Sequence, residues 1–153
     1  MSERVYNVIA EAAPDRRWMH AFTYSGHPTA CAVGLANLDI LEREGLVEAV
    51  AKKGKKLLSG LMQLSGLDHV GDIRGSGLMA AVEFVEDKAT KKAFNPSQKV
   101  GDRVLKECVR RGLFSRIRGD MFLLAPPFVT TEDQIDRIVN IVGESVAAVT
   151  TSV

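Results

Sequence analysis

Residues 20–38, HAFTYSGHPTACAVGLANL, gather hydroxyls, two histidines and a glycine, then turn into an almost unbroken apolar run. A polar loop feeding the first turn of a helix presents N–H groups that lack intrahelical partners, so it can hold an anion. A plain solvated loop has the same composition, and the residues alone leave both readings open. A second cluster raises a similar choice. Arg116 and Arg118 lie in a strand-like stretch beside the apolar MFLLAPPF, and strand alternation puts Phe114, Arg116 and Arg118 on one face. Charges there can discourage edge-to-edge pairing of a sheet, or one guanidinium can receive a carboxylate in a two-pronged hydrogen-bonded pair.

Other candidate chemistry is weaker. Gly75-Ser76-Gly77 is followed by Leu78, Met79 and Ala80, so the third glycine of a dinucleotide fingerprint is missing, and the stretch leads into a strand. A turn needing positive φ accounts for it. Ser25 and His27 sit in no nucleophile elbow, and His20 and His27 lack the spacing of a helical metal pair. Cys31 and Cys108 fall in expected helices with apolar neighbours and form no CxxC pair, so both read as reduced core thiols. Lys52, Lys53, Lys55 and Lys56 read as a solvated helix face.

The elements that must position these residues follow from periodicity. Ser2 caps a short expected helix ending before Pro14, and Pro28 occupies the first position of a helix running to about Arg43. Apolar residues surround that second helix, which should therefore be buried. After Gly45 a third helix carries Leu57, Leu58 and Leu61 on its apolar side. VGDIRGSGLMAAVEFV then fits a hairpin or one kinked strand. A fourth helix with Val100, Val104 and Cys108 ends at Gly112, two short strands flank Gly119-Asp120, and a last helix opens with a threonine cap followed by Glu132 and Asp133. Strand, strand, helix, strand, strand, helix implies an α+β layer, an antiparallel sheet covered on one side.

With 153 residues, 46% of them hydrophobic, the chain has room for one globular domain. Its formal charge of +1 and the lack of a basic stripe with interleaved aromatics speak against nucleic acid as a partner. The longest apolar stretch falls short of the roughly 20 residues that span a bilayer, and charges in the first twenty residues fit no secretory signal, so a cytoplasmic protein with no membrane partner is expected.

FTYSGHPTACAVGLANLDILEREGL, IRGSGLMAAVEF and SRIRGDMFLLAPPFVTTEDQID together resemble the C-terminal third of class III aminotransferases, pyridoxal-phosphate enzymes that include the ω-amino acid and amine:pyruvate transaminases. The resemblance implies the small C-terminal domain of the fold-type I architecture at residues 45–153. Residues 1–44 would be the end of the cofactor-binding large-domain region, with its phosphate-contacting loop and buried helix. It also implies that Phe22 and Thr23 contact the cofactor phosphate of the other subunit in a dimer or higher homo-oligomer, and that Arg116 binds the substrate carboxylate. Arg116 would swing away for amines that lack one.

The family's Schiff-base lysine lies upstream of the stretch matching Met1, and none of the nine lysines here falls in its motif. The residues that hold the cofactor ring are missing as well, so the chain looks like a C-terminal piece, inactive alone. Its parent would transfer an amino group from an amine or ω-amino acid to a keto acid such as pyruvate. A relative of the glutamate-1-semialdehyde aminomutases shares the same motifs, and a noncatalytic dimerisation or phosphate-binding module is the rival from another class.

Overall fold

The computed structural model describes residues 2–18 and 22–151. His20 lies outside them. The chain divides into two compact units, Met1–Ile40 and Leu41–Val153.

The first unit contains α1 (Glu3–Ala10) and most of α2 (Pro28–Arg43). Ser2 stands at the N-cap of α1, but its hydroxyl makes no capping bond; its carbonyl instead accepts the N–H groups of Val5 and Tyr6. α2 begins at Pro28 as its sequence predicts, yet none of its residues is buried. Apolar residues all round the axis require cover from several sides, and in this chain alone the burial that they call for is not present. Cys31 on α2 is exposed, which also corrects its reading as a core thiol.

The second unit is an α+β layer. α3 (Leu46–Met62) is followed by the β1–β2 hairpin (Val70–Ser76 and Met79–Phe84), α4 (Val100–Arg110), the β3–β4 hairpin (Arg116–Arg118 and Met121–Leu124) and α5 (Glu132–Thr150). The four strands form one antiparallel sheet in the order β1-β2-β4-β3. The hairpin alternative is thus the correct one for residues 70–84, with Gly77 at φ +56° in its turn.

Ile73, Val82, Phe122 and Ile117 stand opposite one another across the strands and point into the core. There they meet Leu57 and Leu61 of α3, Val104 and Cys108 of α4, and Ile135, Val142 and Val146 of α5. Fully burying such a side chain contributes about 1.5–3 kcal/mol. Desolvation pushes the Cys108 thiol above its ordinary range, so this cysteine remains a protonated core residue. α5 opens with the expected threonine cap: Thr131 Oγ1 accepts the Gln134 N–H, and Gln134 Oε1 accepts the Thr131 N–H at 2.9 Å. No helix among the described residues is long and apolar enough to cross a membrane.

Candidate functional site

Because side chains alternate along a strand, the sheet face turned away from the helices is also set by register. Arg74, Ala81, Leu123 and Arg116 stand in one row across β1, β2, β4 and β3. The next row outward holds Glu83, Met121 and Arg118. This face floors an open groove of about 950 Å³ lined by Arg74, Met79, Ala81, Phe114, Leu123 and Arg116. Phe114 is 88% exposed and Met79 70% exposed, so the lining is apolar and in contact with water.

The two arginines at the ends of that row differ in kind. Arg74 donates to Glu83 at 2.8 Å and to Asp72 at 2.5 Å, and these hydrogen bonds, Glu83 foremost, hold its guanidinium above the ordinary range. Its charge is already satisfied. Arg116 is exposed and, among the described residues of the second unit, has no hydrogen bond or ion pair; the same is true of Arg118. The predicted placement of Phe114, Arg116 and Arg118 on one exposed side agrees with their exposure. Of Arg116 and Arg118, the former alone lines the groove. An unpaired guanidinium beside apolar surface suits a ligand with a carboxylate at one end and an apolar body.

Sequence reasoning missed Asp120. Its Oδ1 accepts the Gly101 N–H at 2.9 Å and its carbonyl accepts the Phe84 N–H at 2.8 Å. The signal available was a Gly-Asp turn directly after the arginine strand, but its partners lie nineteen and thirty-six positions away.

In the first unit, residues 22–25 close into a turn. Phe22 N–H donates to Ser25 Oγ at 3.2 Å, and Ser25 N–H donates to the Phe22 carbonyl at 2.9 Å. Ser25 is therefore used structurally. Thr23 lies at the tip, exposed, and among the described residues neither its hydroxyl nor its N–H has a partner. Gly26 takes φ +75°, and the His27 carbonyl accepts the Cys31 N–H as α2 begins. The first turn of α2 contains no acidic residue, which leaves its orphan N–H groups unopposed.

The sequence profile of aminotransferase class III matches residues 2–146. The chain is 38% identical over 135 residues to the adenosylmethionine-8-amino-7-oxononanoate aminotransferase of Nitratidesulfovibrio vulgaris, covering 88% of this chain and 25% of that protein. It is 41% identical over 144 residues to the diaminobutyrate–2-oxoglutarate transaminase of Halomonas elongata, covering 91% and 30%. In structure it is similar to a thermostable (S)-enantioselective omega-transaminase from Thermomicrobium roseum, with a TM-score of 0.87, 42% identity, and coverage of 97% of this chain and 33% of that one. The chain thus spans a quarter to a third of the length of these relatives. The profile over nearly the whole chain, together with a fold shared at this identity, shows that the chain belongs to the class III aminotransferases, which use pyridoxal phosphate.

Proposed function

We propose that this chain supplies the substrate-carboxylate site and part of a phosphate site to an enzyme that transfers an amino group from an amine or ω-amino acid to a keto acid such as pyruvate. The observation that carries this reading is the contrast between Arg74, bonded to two carboxylates, and Arg116, unpaired at the rim of an apolar groove. A sheet-edge charge serving only solubility would have no need of the groove.

The cofactor's phosphate is an anion with oxygens to satisfy, and the turn at residues 22–25 fits it. Thr23 offers a hydroxyl and an N–H with no competing partner among the described residues, while the Phe22–Ser25 hydrogen bonds hold the turn closed. Thr23 would donate to the phosphate and Phe22 would pack beside it. Pyridoxal phosphate, when bound, supplies the electron sink that the amino transfer needs. Arg116 receives the substrate carboxylate through two parallel N–H···O bonds and so orients the substrate. With an amine donor that has no carboxylate, the guanidinium must turn to water, because leaving it desolvated and unpaired is costly. The role of Phe22 and Thr23 in a neighbouring subunit's site makes a homo-oligomer part of the proposal.

The test is Arg116→Ala in a protein that joins this segment to the remaining length its relatives have. Keto acids and carboxylate-bearing donors should lose about 2–5 kcal/mol of transition-state binding, while arylalkylamines change little. Equal losses for both donor types would leave Arg116 as an edge charge only.

A further inference from the structure

We propose that Asp120 is the positioning residue for Arg116, acting through a clasp between the β3–β4 turn and the first turn of α4. The proposal rests on the reading of Arg116 as the carboxylate-binding group.

β3 has only three residues, Arg116–Arg118, and lies at the edge of the sheet with a single neighbour, β4. Three facing pairs, Arg116 with Leu123, Ile117 with Phe122 and Arg118 with Met121, define its register. So short a ladder contributes few hydrogen bonds, and a slip of one residue would exchange the faces of Arg116 and Ile117. The guanidinium would then point at the core instead of the groove. The placement of Arg116 therefore depends on the core contact of Ile117 and on what fixes the two ends of the strand.

At one end the Ser115 hydroxyl donates to the Leu123 carbonyl. At the other end Asp120 binds in two directions, its carbonyl taking the Phe84 N–H at the end of β2 and its carboxylate taking the Gly101 N–H. That second contact supplies what α4 lacks locally. The N-cap position of α4 is Lys99, at φ +47° and with no side-chain capping bond, so the acceptor for an orphan donor of the first turn arrives from across the fold. A carboxylate is favoured there by the helix dipole and by the charge-assisted bond.

The approach is close enough to exclude any side chain at position 101. A Cβ there would lie 2.3 Å from the Gly119 carbonyl oxygen and 2.9 Å from Ile117 Cγ1. The turn thus rests directly on a helix whose Val100, Val104 and Cys108 are fully buried. Through Asp120 the rigidity of the core reaches an edge strand of three residues, of which Ile117 alone packs against the core. Asp120 touches no substrate; it acts through Arg116.

The experiment compares Asp120→Ala, Asp120→Asn and Arg116→Leu in the longer protein, with hydrogen exchange on the 153-residue chain. In Asp120→Ala the KM for a keto acid should rise about 10- to 100-fold with kcat for arylalkylamine donors nearly kept. Asp120→Asn, which retains an acceptor, should recover most of the loss. In the isolated chain Asp120→Ala should speed exchange at Gly101 and across β3–β4 while the α5 core amides stay protected. If Arg116→Leu raises that KM and Asp120→Ala does not, the clasp proposal is overturned and the carboxylate reading survives. If Arg116→Leu leaves the KM unchanged, the carboxylate reading itself fails. A uniform loss for all donors that tracks folded protein, without rescue by asparagine, reduces Asp120 to a stabilising cap and overturns the proposal.

Discussion

Gly54 of α3 lies directly on the backbone of Gly77 in the β1–β2 turn: a Cβ at position 54 would come within 2.4 Å of the Gly77 carbonyl oxygen and 2.5 Å of its carbonyl carbon. Backbone cannot step aside as a flexible side chain can. Gly77 is itself held at φ +56°, a conformation that a side chain disfavours. Helix and turn are therefore matched at a point where both residues need to be glycine.

Gly54→Ala should destabilise the second unit by about 1–3 kcal/mol, the usual cost of overpacking, despite alanine's better helix propensity. Urea unfolding followed by circular dichroism measures this. A gain in stability would mean that the turn moves freely away from α3.

How much of this was legible in the sequence depended on the range of the interactions. The capping box of Thr131 and Gln134 spans three residues, and the end of α4 at Gly112 is a short-range turn, so both could be read locally. Arg116 could be placed on an exposed face by alternation alone. Its contrast with Arg74 could not, because that rests on Glu83 reaching across from the neighbouring strand. The lysine face of α3 was only partly legible. Lys53 donates to the Phe128 carbonyl at 2.8 Å and Lys56 to Asp136 at 2.8 Å, so part of a supposedly solvated face meets α5 and the loop before it. The apolar residues all round α2 ask for burial, but no sequence window states whether the covering surface belongs to the same chain, and in this chain none of its residues is buried.

Two carboxylates should make stability fall in acid, with different responses to salt. Asp87 is held below its ordinary range chiefly by the Thr90 hydroxyl, which donates at 2.6 Å, and Glu132 chiefly by the hydrogen bond and charge of Lys52. Since the folded chain binds these protons more weakly than the unfolded chain, the stabilisation is present above the usual carboxylate range. It is lost as pH falls through the depressed folded values. At about 1 M salt the Debye length shrinks to roughly 3 Å, so the Glu132 part should weaken while the hydrogen-bonded Asp87 part persists. Urea midpoints against pH for Thr90→Val and Lys52→Met, at low and high salt, check this. Identical salt responses would refute the assignment.

The exposed residues of α2 should drive the isolated chain to associate. Val33 is 64% exposed, Leu35 65% and Leu38 55%, on more than one side of the helix. Light scattering across a dilution series should show oligomers, and the exposed Cys31 thiol should label more slowly as concentration rises. Cys108, fully buried, should stay unlabelled until the chain unfolds. A monomer at all concentrations, with Cys31 equally reactive throughout, would contradict the expectation.

No lysine among the nine should take up pyridoxal phosphate as a catalytic lysine would. An amine attacks a carbonyl only after losing its proton, so such a lysine is desolvated or set beside another cation. The lysines here have the opposite surroundings. Lys56 is pushed above its ordinary range, first by its hydrogen bond to Asp136, and Lys92 pairs with Glu86 at 2.8 Å. Lys88 donates to the carbonyls of Ser65 and Leu67, and Lys91 to that of Gly71. Lys55, Lys99 and Lys106 are exposed to water. Incubating the 153-residue chain with the cofactor, reducing with borohydride and mapping the peptides should give scattered, substoichiometric adducts on the exposed lysines, with no transaminase activity. One stoichiometric, protected adduct accompanied by activity would require a catalytic lysine within these residues and would overturn the reading of this chain as a partner to a cofactor site completed elsewhere.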